Sequence, residues 1–129
     1  DLVLLNKFTE NLSNIRQQID KQNINYYIDF IVTSLFEANK YFNDQEPWKK
    51  KNDLVRLNTI VYTTLEIVRK ISFLLYPIIP ESVIKVLKIF DLKESDINLS
   101  SVENNEFLAK GSKINKIDIL FKKIDKNND

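Results

Sequence analysis

The sequence predicts an all-α fold: an antiparallel helical bundle of about four helices with an irregular C-terminal tail packing back on it. Three observations predict it. Apolar residues recur at alternating steps of three and four through the long segments, which is helical periodicity. The only glycine is Gly111, and the prolines stand only at 47, 77 and 80, so the turn residues needed by many short strands are scarce. With 43% hydrophobic and 29% charged residues, a chain of 129 residues can bury one core beneath a polar surface. A single domain spanning 1–129 is therefore expected.

The first helix is read from Leu5, Phe8, Leu12, Ile15 and Ile19, which share one stripe, while Asn6, Lys7, Glu10, Asn14, Arg16 and Gln17 face water. The polar stretch Asp20-Lys21-Gln22-Asn23 makes the short connection typical of antiparallel neighbours. Asn23 suits the N-cap of a second helix, whose apolar positions are Ile24, Tyr27, Ile28, Ile31, Leu35, Ala38 and Phe42. That helix is expected to stop near Asn43, because a polar stretch follows and Pro47 cannot continue it unbent.

In the third segment Leu54, Leu57, Val61, Thr64, Val68, Ile71 and Leu75 keep the periodicity without a break. Asn52 or Asp53 can cap its start, and Pro77 is expected to end it by disfavouring helical geometry at Tyr76. The turn Pro77-Ile78-Ile79-Pro80 reverses the chain, Pro80 opens a fourth helix and Glu81 complements its dipole. Val83, Val86, Leu87 and Phe90 give that helix a short apolar face. From about residue 92 to 129 the pattern weakens into a tail, with an alternation of Ile117, Ile119 and Phe121 near its end.

Composition excludes several kinds of chemistry. The chain has no cysteine, hence no disulfide and no thiolate zinc site, and no histidine, hence no imidazole base or ligand. One glycine cannot make a phosphate-cradling loop. The acids Glu66, Glu81 and Asp91 read as surface or capping residues without identifiable partners, so neither catalytic nor metal-binding residues are expected. No apolar run approaches the roughly 20 residues needed to cross a bilayer. The absence of cysteine fits a cytoplasmic setting. A net charge of +1 means that any nucleic-acid binding must come from a local patch. Methionine is absent and Asp1 does not begin a signal peptide, so a piece of a longer protein is expected.

One segment stands apart. Ala38 to Lys51 ends a helix, holds the only tryptophan, Trp48, and continues at once into Lys49, Lys50 and Lys51. Two readings are open. Trp48 either fills the core beside Pro47 while the lysines form a solvated helix start, or it is a platform for an unpaired base with the lysines as phosphate contacts.

The residues also resemble a known family. Asn39-x-Tyr41 followed after five residues by Pro47-Trp48 is similar to the hallmark of the anticodon-binding domain of methionyl-tRNA synthetases. Arg69 with Leu74-Leu75-Tyr76-Pro77-Ile78-Ile79-Pro80-Glu81-Ser82 resembles that family's turn between the third and fourth helices. Gly111-x-x-Ile114 with Leu120-Phe121-x-x-Ile124 resembles its C-terminal strap, although Lys122-Lys123 replaces a common Pro-Arg pair.

The resemblance implies that Trp48 stacks on an anticodon base, that Pro47 orients it and that Asn39 holds the helix end and loop in shape. Tyr41 is packing or loop support. Lys49, Lys50 and Lys51 are either backbone contacts or a solvated face. The implied partner is the methionine tRNA with anticodon CAU. The parent enzyme would use ATP with Mg, through a catalytic domain that this chain lacks, and no cofactor is expected here. An earlier helix that contacts the anticodon in the family has no counterpart in the sequence. The competing expectations are a helical protein-interaction module and the anticodon domain of another class I synthetase.

Overall fold

Each long periodic segment forms a helix in the computed structural model, which describes residues 1–116, 120 and 121. α1 runs Leu2–Asp20, α2 Ile24–Gln45, α3 Leu54–Leu75, α4 Pro80–Ile89 and α5 Leu99–Glu103. Among the described residues there is no strand, and no helix is long and apolar enough to cross a membrane. α1, α2 and α3 run up, down and up, with α2 packed between α1 and α3, and α4 and α5 lean on α3.

The local signals work largely as read. Asn23 caps α2 by accepting from the Tyr26 N–H at 3.3 Å, and Asp53 caps α3 by accepting from the Arg56 N–H at 3.0 Å. Pro80 stands at the start of α4 with Glu81 in its first turn. The tail is less irregular than expected, holding a single 3-10 turn at Glu94–Asp96 and then α5. Ile117, Ile119, Lys122, Lys123 and Ile124 lie outside the described residues, so the terminal alternation and part of the strap do too.

Three expectations need correction. Tyr76 keeps helical dihedrals, φ −53° and ψ −43°, despite the following proline. The helix ends because Pro77 has no N–H, and the Ile78 and Ile79 N–H groups both turn back to the Leu75 carbonyl at 2.9 Å. The buried side of α3 is also rotated from the predicted stripe. Leu54 is 64% exposed and Val61 and Val68 are partly exposed, whereas Ile60, Thr63, Ile67, Lys70 and Ile71 face inward. α3 packs on α1 and α2 on one side and on α4 and α5 on another, so its buried arc is wider than a single stripe.

The third correction concerns the acids. Glu66 is fully buried, not a surface residue, and so are Arg69 and Lys70, each with 0% exposure. Arg69 donates from Nε and Nη2 to Glu66 Oε2 at 3.0 and 2.6 Å. Its remaining donors reach the carbonyls of Ser101 and Asn104, both at 2.7 Å. Glu66 accepts in turn from the Leu108 N–H, and Lys70 donates to the Val102 carbonyl. The Arg69 guanidinium lies 4.7 Å from the Phe107 ring centre and 5.2 Å from that of Phe73. No described buried side-chain polar atom lacks a partner. α3 therefore binds residues 101–108 through charge-assisted hydrogen bonds inside the core.

A buried charge stripped of its partner is costly. Arg69→Ala leaves the Glu66 carboxylate uncompensated and is expected to lower unfolding free energy by about 3–5 kcal/mol. Lys7→Ala, which breaks the exposed pair with Glu37, is expected to cost less than about 1 kcal/mol. Urea denaturation of both variants checks this, and equal effects would contradict the account.

The same cluster predicts a pH profile. Burial, then the Arg69 charge, lowers the Lys70 amine to about 8 from its ordinary 10.5. The unfolded chain binds that proton more tightly, so its folding penalty is complete below pH 8 and disappears towards 10.5. Burial pushes the Tyr27 and Tyr62 phenols up from 10.0 to about 12, so they withdraw stability as pH climbs from 10 to 12. The urea midpoint is expected to rise from pH 8 to 10 and to fall beyond, and Lys70→Met is expected to remove the rise.

Candidate nucleic-acid interface

The α2–α3 connection is short and built from its own backbone. Glu46 ends α2 in the left-handed region, φ 44°, and its N–H reaches the Asn43 carbonyl at 3.2 Å. This sharp reversal leads into Pro47, whose preset φ opens a 3-10 turn at Pro47–Lys49. The Lys49 N–H returns to the Glu46 carbonyl at 2.9 Å, the Lys50 N–H to Pro47 at 3.0 Å and the Asp53 N–H to Lys50 at 2.9 Å. Four N–H groups of the stretch 46–53 are thus tied to the carbonyl three residues back.

Side chains brace the same end of the bundle. Arg56, near the start of α3, pairs with the Asp1 carboxylate and donates to the Gln45 amide oxygen. Tyr41 donates to the same carboxylate. Tyr41 is half-buried and acts as support for this end, one of the roles read for it. The contact joins the starts of α1 and α3 to the last turns of α2.

On this frame Pro47 is buried and Trp48 is 51% exposed. The indole meets the Phe42 ring edge-on, with centroids 6.2 Å apart and planes at 61°. About half of the residue's surface is left to solvent. The reading in which Trp48 fills the core is not what the structure has; Pro47 and Phe42 anchor the ring, and the ring itself is presented. Such placement suits stacking on a planar ligand, because the platform is already ordered before a base arrives.

The remaining candidates divide. Lys49 pairs with Glu46 at 2.7 Å, Lys50 is half-buried and Lys51 is exposed. Among the described residues Lys50 and Lys51 form no ion pair, so their charges are available to an anion. Asn39 lies on the exposed face of α2. Its side chain makes no hydrogen bond among the described residues, and the loop takes its shape from the backbone contacts and Arg56 instead. Sequence reasoning passed over Asn43 and Phe36, which share that face.

A helical bundle that ends in a rigid turn with a presented indole, open amides and lysines has the form of a helical RNA-recognition domain. The comparisons name the kind. A family model described as the anticodon binding domain of methionyl tRNA ligase matches residues 1–129. Methionine–tRNA ligase of Thermotoga maritima is 31% identical over 127 residues, 97% of this chain and 20% of that protein. The Mycobacterium leprae enzyme is 35% identical over 107 residues, 79% of this chain and 20% of that protein. The crystal structure of apo Mycobacterium tuberculosis methionyl-tRNA synthetase superposes with a TM-score of 0.87 at 27% identity, covering 98% of this chain and 26% of that one.

The chain belongs to the family of methionyl-tRNA ligase anticodon-binding domains. It spans about a fifth of the length of the curated relatives it matches. The protein-interaction module and the anticodon domain of another class I synthetase are set aside by this match.

If Trp48 is presented and not packed, its removal is cheap. Trp48→Ala is expected to lower unfolding free energy by about 1 kcal/mol, the size of one edge-on aromatic contact. A core tryptophan would cost roughly 3–5 kcal/mol. Thermal and urea unfolding distinguish the two.

Proposed function

We propose that this chain is the part of a methionine–tRNA ligase that holds the anticodon loop of its tRNA, CAU, with the first anticodon base stacked on Trp48. The observation that carries the reading is the half-exposed indole on a braced turn, in a chain of this family. Pro47 sets the ring's direction by fixing the backbone just before it. Lys50 and Lys51 lie beside the ring in sequence and offer free charge to the phosphates, and Lys49 does so once Glu46 releases it. Asn39, with its amide unengaged, serves as a hydrogen-bonding group for a base edge. No proton transfer or covalent step belongs here; the contribution is binding and orientation.

The joining of methionine to tRNA, using ATP with Mg, falls in this reading to parts of the parent enzyme outside residues 1–129. The residues present fit that division. With Gly111 as sole glycine and no histidine or cysteine, the chain has no loop to cradle a triphosphate. A cytoplasmic setting, where tRNA is charged, is part of the same proposal.

Titration with a hairpin carrying a CAU loop tests the reading. Trp48→Ala is expected to weaken binding roughly tenfold to a hundredfold, since one base–aromatic stack contributes about 1–3 kcal/mol. Affinity is also expected to fall steeply with added salt through the lysine contacts. Equal affinity of the wild type and Trp48→Ala at low salt would refute the proposal.

A further inference from the structure

Phe36 has no role in the fold. It is 71% exposed in the middle of α2, more so than Trp48, and lies outside the buried core. A lone exposed apolar side chain is ordinary. The company of this one is not. Phe36, Asn39, Lys40 and Asn43 recur at i, i+3, i+4 and i+7, so they occupy one arc of about 100° on the helix. All four are exposed. Among the described residues the side-chain amides of Asn39 and Asn43 have no hydrogen-bond partner in the protein. Asp44, the carboxylate at the flank of this arc, is paired with Lys40.

Along the helix axis the arc runs towards the end of α2 that leads into the indole's turn. Phe42, the ring that supports Trp48, stands six positions after Phe36, which is about 9 Å along the helix axis. An exposed phenylalanine in the middle of α2 and a half-exposed indole just past its end are thus joined in sequence by a stretch of the helix that presents two open amides and a lysine. This is the arrangement by which unpaired RNA is held: aromatic faces take successive bases, amides bond base edges and ammonium groups meet phosphates.

We propose that Phe36 is a second stacking platform, which takes a base of the anticodon loop other than the one on Trp48, with Asn39 and Asn43 hydrogen-bonding base edges between the two rings. The inference rests on the anticodon-loop reading above. It adds a residue and a direction, since the loop's bases then run from the Pro47–Lys49 turn along the exposed face of α2 towards its middle.

The test uses the 129-residue chain and the same CAU hairpin, with single abasic substitutions at each anticodon position. Because Phe36 is exposed, Phe36→Ala, Phe36→Leu and Phe36→Tyr are expected to leave the urea midpoint unchanged. Phe36→Ala and Phe36→Leu are expected to weaken binding roughly tenfold, and Phe36→Tyr, which keeps the ring face, to retain wild-type affinity. A merely hydrophobic role would be rescued by leucine, which overturns the inference.

The abasic series gives the direction. Loss of one base is expected to abolish the effect of Trp48→Ala, and loss of a different base the effect of Phe36→Ala. If Trp48→Ala weakens binding and Phe36→Ala does not, the second platform is overturned while the anticodon reading stands. If both effects couple to one base, the second platform is likewise overturned. If Trp48→Ala has no effect, both fall together.

Discussion

The buried Arg69–Glu66 ion pair, with Lys70 beside it, is the interaction on which the rest of the structure depends. Charges taken wholly out of water are tolerable only when each donor and acceptor is engaged. Here the partners come from far along the chain: the carbonyls of Ser101, Val102 and Asn104 and the N–H of Leu108. The tail is therefore a required component of the core, because without it the buried Arg69, Lys70 and Glu66 would lose hydrogen-bond partners that α3 does not supply. The aromatic rings of Phe73 and Phe107 close over the guanidinium and complete its shielding.

That arrangement makes α3 the common support of the molecule and gives the Trp48 end of the bundle something firm to hang from. α3 is held by the tail through its C-terminal half and by Asp1, Tyr41 and Gln45 through Arg56 at its start. The Arg56 contact with Gln45 ties together the two ends of the loop from Glu46 to Asp53. Its tryptophan is ordered by backbone hydrogen bonds and the Phe42 edge, without being consumed by the core. A platform fixed in advance spares any complex formed on it the entropy of ordering it.

Much of this was legible in the residues and some was not. The first four helices, their order and their caps follow from periodicity, Asn23, Asp53 and Pro80, because these act locally; α5 lay in the stretch read as an irregular tail. The register of α3 did not follow, since its buried arc depends on α4 and α5, whose contact no local pattern encodes. Glu66 was misread as a surface acid because charge ordinarily stays in water. The available signal was the clustering of Glu66, Arg69 and Lys70 within an apolar helix, with Glu66 and Arg69 three apart. At the candidate site the motif from Asn39 to Trp48 picked out the loop that presents the half-exposed indole. Composition alone favoured a buried Trp48, and its exposure depends on Pro47 and Phe42 occupying the inward positions. Phe36 was passed over because an outward apolar residue breaks no periodicity rule.

The central claim is that the indole of Trp48 is ordered, open and used to stack on a base. As the only tryptophan, it gives a single indole N–H resonance. Adding a hairpin with a CAU loop should move that resonance upfield by ring-current shielding, saturating at the binding stoichiometry, while a hairpin of scrambled loop leaves it in place. An indole resonance that stays fixed while the CAU hairpin demonstrably binds would contradict the account.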